Sequence, residues 1–182
     1  MITDDATHKH LFNAPEFVRD LVLTFAPHPW LLSLDFSTLE KVPSSFVSDH
    51  MRQRHGDAIW RLKAHSDWVY LYLLIEFQSR PDRYMALRKM TYVGLLYQDL
   101  IAHDPVAGRQ RLPPVLPIVL YNGPTPWRAA TRITDLIGKL PSGLSEYIPA
   151  MRYWLIDEAR TPLPVGTHNL LTHLMRFAQA QD

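Results

Sequence analysis

The stretch GDAIWRLKAHSDWVYLYLLIEFQSR, residues 56–80, decides the fold. It reads as two strands joined by a short turn, either His65-Ser66 or the longer Ala64 to Asp67. Both turns give one pairing register, with Lys63 opposite Trp68 and Asp57 opposite Leu74. In that register one face carries Ala58, Trp60, Leu62 and Ala64 with Val69, Leu71, Leu73, Ile75 and Phe77. It is apolar throughout and therefore core. The other face carries Asp57, Ile59, Arg61 and Lys63 with Trp68, Tyr70, Tyr72, Leu74, Glu76 and Gln78, and its acids gather at one end. Glu76 stands diagonally from Asp57. Diagonal neighbours on a sheet face are roughly 7–8 Å apart, a gap that two carboxylates close when they share a metal ion.

Outward from the hairpin the chain alternates helices and strands. Thr7 to Phe12 reads as a helical turn or two, and Asn13-Ala-Pro-Glu16 opens a helix: Asn13 caps, Pro15 suits the first turn, and Glu16 closes a capping box. Phe17, Leu21, Val22 and Phe25 line one face of that helix, which stops near Ala26 because Pro27 and Pro29 follow. Trp30 to Pro43 reads as irregular or as a short edge strand, and Ser44 to Val47 as a strand. After the hairpin, Pro81-Asp82 is a turn and Arg83 to Ala102 a helix whose apolar stripe is Ala86, Met90, Val93, Tyr97 and Leu100. Arg88, Lys89 and Asp99 fall off that stripe. Pro114 to Tyr121 is apolar without interruption, as expected of a strand buried on both faces and paired parallel to a neighbour across the helix. A short helix over Ile133 to Leu140, a last strand over Arg152 to Ile156 and an amphipathic helix over Thr167 to Ala180 complete the reading. The fold class is α/β, with a mixed central sheet flanked by helices.

Composition bounds the function. The chain has 182 residues, 47% hydrophobic and 20% charged, with a net charge of +1, as expected of one globular domain spanning residues 1–182. Between Met51 and Met90 eight basic residues (Arg52, Arg54, Arg61, Lys63, Arg80, Arg83, Arg88, Lys89) face four acidic ones (Asp57, Asp67, Glu76, Asp82). A basic rim around an acidic centre suits a phosphate polymer. The absence of cysteine excludes disulfides, a thiol nucleophile and cysteine-ligated zinc, and a cytoplasmic location is the default expectation. The N-terminal residues lack the apolar core of a signal peptide, and the longest apolar run, VYLYLLI, is far short of a membrane span. Scattered single glycines offer no phosphate loop and no nucleotide cofactor site. No HExxH or GxSxG motif occurs among the nine histidines and the serines.

Taken singly, Asp57 is an ordinary turn residue after Gly56, and Glu76 and Gln78 an ordinary strand end. Together they are less ordinary, because the register that makes one face wholly apolar brings all three polar groups to the same end of the other. The segments FVSDHMRQRHGDAIWRLK, YLLIEFQSRPDRYMALRKMTY and LPPVLPIVLYNG resemble the recombination-promoting nuclease family, also called YhgA-like transposases, within the PD-(D/E)XK nuclease superfamily. The similarity runs from about Asp5 to past Asn122 and weakens after Trp127.

The resemblance implies a restriction-endonuclease-like core of order α-β-β-β-α-β over about residues 5–125, with accessory elements over 126–182. It implies a DNA endonuclease of low sequence specificity, linked to recombination or transposition of mobile elements and dependent on Mg²⁺ or Mn²⁺. Asp57 and Glu76 match the metal-binding acids, and Gln78 matches a catalytic position held by lysine elsewhere in the superfamily. An additional acid is expected from the first helix, Asp5 or Glu16. Arg54, Arg61, Lys63, Arg80 and Arg88 are the expected DNA-contacting bases. Gln78 departs from the superfamily pattern, because an amide orients water or a phosphate oxygen but carries no positive charge. The alternative expectation is a catalytically inactive nuclease-fold module that binds DNA or a protein partner. A homodimer is a further expectation, since cutting both strands calls for two centres. The chain ends without a capping glycine, as a piece of a longer protein would.

Overall fold

A computed structural model describes residues 13–25, 28–42, 57–65, 67–76, 81–103, 111–139, 141, 143–163 and 170–179. The expected helical turn over 7–12 and strand over 44–47 lie outside them.

Helix α1 (Pro15–Phe25) begins where Pro15 supplies a preset backbone angle and the Ala14 carbonyl accepts the first N–H groups, those of Phe17 and Val18. Asn13 accepts a hydrogen bond from the Lys41 amine, which ties the helix start to the first strand. After a 3-10 turn (Pro29–Ser33), strand β1 (Asp35–Lys41) forms the sheet edge, so the stretch read as irregular or edge strand is an edge strand. Its register against β2 (Asp57–Ala64) shifts between Asp35 and Glu40. Thr38 bridges the irregularity: its hydroxyl donates to the Asp35 carbonyl at 2.7 Å and accepts the Lys63 N–H at 2.8 Å, taking the place of a missing ladder bond.

Strand β3 (Asp67–Glu76) pairs antiparallel with β2 in the register expected from sequence, Lys63 with Trp68 and Asp57 with Leu74. Ala64 pairs with Asp67, which leaves the two-residue loop, and His65 has φ 58°, as a primed hairpin turn requires. Helix α2 (Met85–His103) then crosses over to β4 (Val115–Tyr121), which pairs parallel with β3, and β5 (Trp154–Asp157) pairs parallel with β4. The five strands lie in sequence order. Helix α3 (Leu170–Gln179) ends the described chain.

Period-two alternation splits the sheet's two faces. Ala58, Trp60, Leu62, Val69, Ile118, Leu120 and Ile156 join Phe17, Val18, Leu21 and Val22 of α1 and Leu171 and Met175 of α3 in one buried cluster. On the opposite face Ile59 packs with Tyr92, Leu96 and Leu100 of α2, and Val119 with Met85 and Ala86. Helices therefore cover both faces.

Three expectations shift. The buried side of α2 is Met85, Ala86, Lys89, Tyr92, Leu96, Asp99 and Leu100, so Lys89 and Asp99 point inward, while Met90, Val93 and Tyr97 are only half-buried. The apolar arc of this helix is broad, and the sheet packs against its earlier edge. The short helix over Ile133 to Leu140 is a single 3-10 turn, Ile133–Leu136. The last strand begins at Trp154, because Arg152 is engaged in an isolated bridge with Arg132.

Candidate active site

Strand direction gathers the polar residues at one end of the sheet. β2 runs opposite to β3, so the start of β2 lies beside the end of β3, and the parallel strands β4 and β5 finish at that same end. Asp57 opens β2 opposite Leu74, and Glu76 closes β3 two residues further on. Glu76 is in register with Tyr121, and Tyr121 with Asp157. By the strand period, positions 57, 74, 76, 119, 121 and 157 share the face covered by α2.

The donor chemistry fits a hard divalent cation. Two carboxylates at diagonal positions of adjacent strands suit Mg²⁺, which is commonly held by one or two carboxylates together with water and substrate phosphate. Among the described residues no group of three or more histidine, cysteine, aspartate or glutamate side chains is placed to hold a metal ion. Gln78, Arg54, Arg80 and Asp5 lie outside the described residues. Glu16 is exposed in the first turn of α1, a helix packed against the opposite sheet face.

The expected DNA-contacting bases divide. Arg61 is ion-paired with Glu40 of the edge strand and stacks over Trp68, its guanidinium carbon 4.4 Å from the ring centre. Lys63 also lies over Trp68, at 5.3 Å. Both sit toward the hairpin turn. At about 3.3 Å per residue Arg61 is some 13 Å along the strand from Asp57, so the fold does not bring these two bases to the acid end. Arg88 donates to Asp82 at 2.8 Å, and the other oxygen of Asp82 accepts the Tyr84 N–H, which together brace the first turn of α2.

The strand ends hold residues that the sequence reading missed. Asp157 is buried; its carboxylate accepts from Arg160 at 3.2 Å and from the Trp127 N–H at 3.4 Å. Arg160 also donates to the Pro124 carbonyl at 2.6 Å, which fastens the loop after β4 to the end of β5. Glu158 donates its N–H to the Tyr121 carbonyl, and its buried carboxyl is pushed up to about 7, first by burial and then by the charge of Asp157. The available signal was the one that singled out Glu76, an apolar strand ending in acid: WLIDE repeats the pattern of LLIE. Trp127 stands edge-on to Tyr121 and donates its indole N–H to the Tyr153 hydroxyl at 2.9 Å. Burial raises the Tyr153 hydroxyl well above its ordinary value, so it stays neutral. Beside this network Pro81, Arg83, Thr125, Pro126, Arg128 and Ala129 line an open cleft of about 480 Å³. Arg83 and Arg128 are exposed there.

Residues 3–180 match the family model described as "Putative transposase, YhgA-like". The chain belongs to this family. It is 35% identical over 126 residues, 68% of its length, to recombination-promoting nuclease RpnD of Escherichia coli O157:H7. It is 33% identical over 119 residues, 65% of its length, to recombination-promoting nuclease RpnA of Escherichia coli strain K12. It is 31% identical over 121 residues, 66% of its length, to the inactive recombination-promoting nuclease-like protein RpnE of the same strain. The matched parts are 47%, 39% and 39% of those relatives, so the chain spans less than half of their length. No solved structure matches the chain. Among the described residues no helix is long and apolar enough to cross a membrane.

Proposed function

We propose that this chain is a metal-dependent DNA endonuclease of low sequence specificity, serving recombination or transposition, and that its sheet is a restriction-endonuclease-like core. The supporting observation is the pairing of Asp57 with Leu74, which brings the start of β2 to the end of β3 that Glu76 closes. Family membership and the nuclease names of the relatives point the same way. Asp57 and Glu76 would hold Mg²⁺ or Mn²⁺. Such an ion, when bound, polarises a phosphodiester and lowers the pKa of water. The side chains supply the rest: Gln78 orients the attacking water through its amide, and Arg83 and Arg128 of the open cleft take backbone phosphates, which positions DNA without reading its sequence. Loss of Arg83 and Arg128 should weaken binding evenly across sequences and flatten its salt dependence.

The second reading is a nuclease fold kept for binding alone. Two observations favour it, the inactive names of two relatives and the amide at Gln78. Titration calorimetry with Mg²⁺ separates the two. The nuclease reading expects binding in the millimolar range or tighter, lost in Asp57→Ala and in Glu76→Ala. Absence of binding together with an unchanged melting temperature at millimolar Mg²⁺ supports the binding module.

A further inference from the structure

We propose that Lys89 of α2 supplies, at the Asp57–Glu76 end of the sheet, the positive charge that Gln78 cannot carry. This rests on the nuclease reading of that site. Lysine is almost never fully buried without a compensating environment, yet Lys89 has no exposed surface. It lies on the inward stripe of α2, in the second turn of the helix. One turn before it, Met85 and Ala86 pack on Val119 of β4; one turn after it, Tyr92 packs on Ile59 of β2. Val119 and Asp57 are the two partners of Leu74, and Ile59 is the partner of Tyr72. The helix thus passes from β4 to β2 across β3, and Lys89 rides over β3 near the row of Asp57 and Leu74. Helical side chains lean toward the N-terminus of their own helix. The N-terminal end of α2 is its Val119 end, so the backbone directs Lys89 toward the strand ends where positions 57 and 76 stand. Asp99, the buried acid on the same helix, is ten residues away, about 15 Å along the axis, too far to account for Lys89.

The chemistry calls for this charge. Hydrolysis adds a water oxygen to phosphorus and breaks one phosphorus–oxygen ester bond; one water proton passes to the leaving oxygen and the other to solvent. Negative charge builds on the phosphoryl oxygens as the bond forms. An ammonium fixed beneath them stabilises it without changing its own protonation, as a preorganised donor does.

The test uses wild type, Lys89→Met, Lys89→Arg and Asp57→Ala in a plasmid cleavage assay, with thermal melts with and without Mg²⁺. Lys89→Met keeps most of the length of the side chain and removes the charge. It should lose cleavage by about 100-fold, the usual effect of deleting one such donor, with Lys89→Arg keeping more activity than Lys89→Met. Lys89→Met should also gain more melting temperature from Mg²⁺ than wild type does, because the lysine no longer competes with the ion for the acids. Lys89→Gln carries the same comparison should Lys89→Met fail to fold. Cleavage by Lys89→Met within threefold of wild type, or an Mg²⁺-induced rise equal to that of wild type, overturns the role of Lys89. In either case a dead Asp57→Ala leaves the nuclease reading standing. A wild-type protein that never cuts DNA with any divalent ion overturns both.

Discussion

Glu158 carries the clearest single-residue consequence. Its folded pKa, about 7, lies above the ordinary 4.5 because burial disfavours the carboxylate and Asp157 adds repulsion. Folding therefore favours the protonated form. Below the ordinary carboxylate range the group is protonated in both states and costs nothing. As pH rises from about 4.5 to 7 the unfolded chain ionises first, and stability falls by on the order of 3 kcal/mol before levelling off. Glu158→Gln should flatten that decline, so that its advantage over wild type appears above neutrality and vanishes near pH 4; urea melts across pH measure it. Gly123 is constrained more simply. A Cβ there would overlap the hydroxyl end of Tyr121, whose ring is fully buried, edge-on to Trp127 and hydrogen-bonded to the Thr125 carbonyl. With no room for the ring to yield, Gly123→Ala should cost about 1–3 kcal/mol, read from denaturant unfolding.

At the scale of elements the hairpin is the organising unit, and it is also the part most legible in the sequence. Its two-residue period left one solution, because a one-residue slip of β2 against β3 would send Trp60 and Leu62 to the face opposite Val69. Leu62 is fully buried between α1, α3 and the sheet, so Leu62→Ala should destabilise by about 2–5 kcal/mol, a large share of a domain's stability. The unbroken apolar run of β4 likewise announced a parallel, doubly covered strand. The helices were read less well. In α2 charge predicts a side chain that faces water, which is right on average, and Lys89 and Asp99 are the exceptions. A helix that crosses a sheet over an acidic end has reason to bury a cation there, but that reason becomes visible only after the crossing is known. Thr38 is a similar case: a hydroxyl that repairs an edge-strand irregularity has no signature in sequence.

For the whole molecule, strand order and direction bring scattered residues to one candidate site. Residues 57, 76, 121 and 157 are spread over a hundred positions, yet the mixed sheet brings all four to the same end. The acid pair was legible because hairpin pairing is local. Asp157, Arg160 and Trp127 were not, because their meeting depends on two parallel crossovers that no short-range pattern encodes. Family membership gives the arrangement its biological direction, and the presence of an inactive relative makes catalysis the point to test. The most direct measurement is conversion of supercoiled plasmid to nicked and linear forms by the wild type and Asp57→Ala, each with Mg²⁺ and with chelator. Cleavage by the wild type that requires Mg²⁺, reduced at least about 100-fold by Asp57→Ala, is the predicted result. Cleavage by Asp57→Ala at the wild-type rate, or equal cleavage in the chelator, would contradict the account.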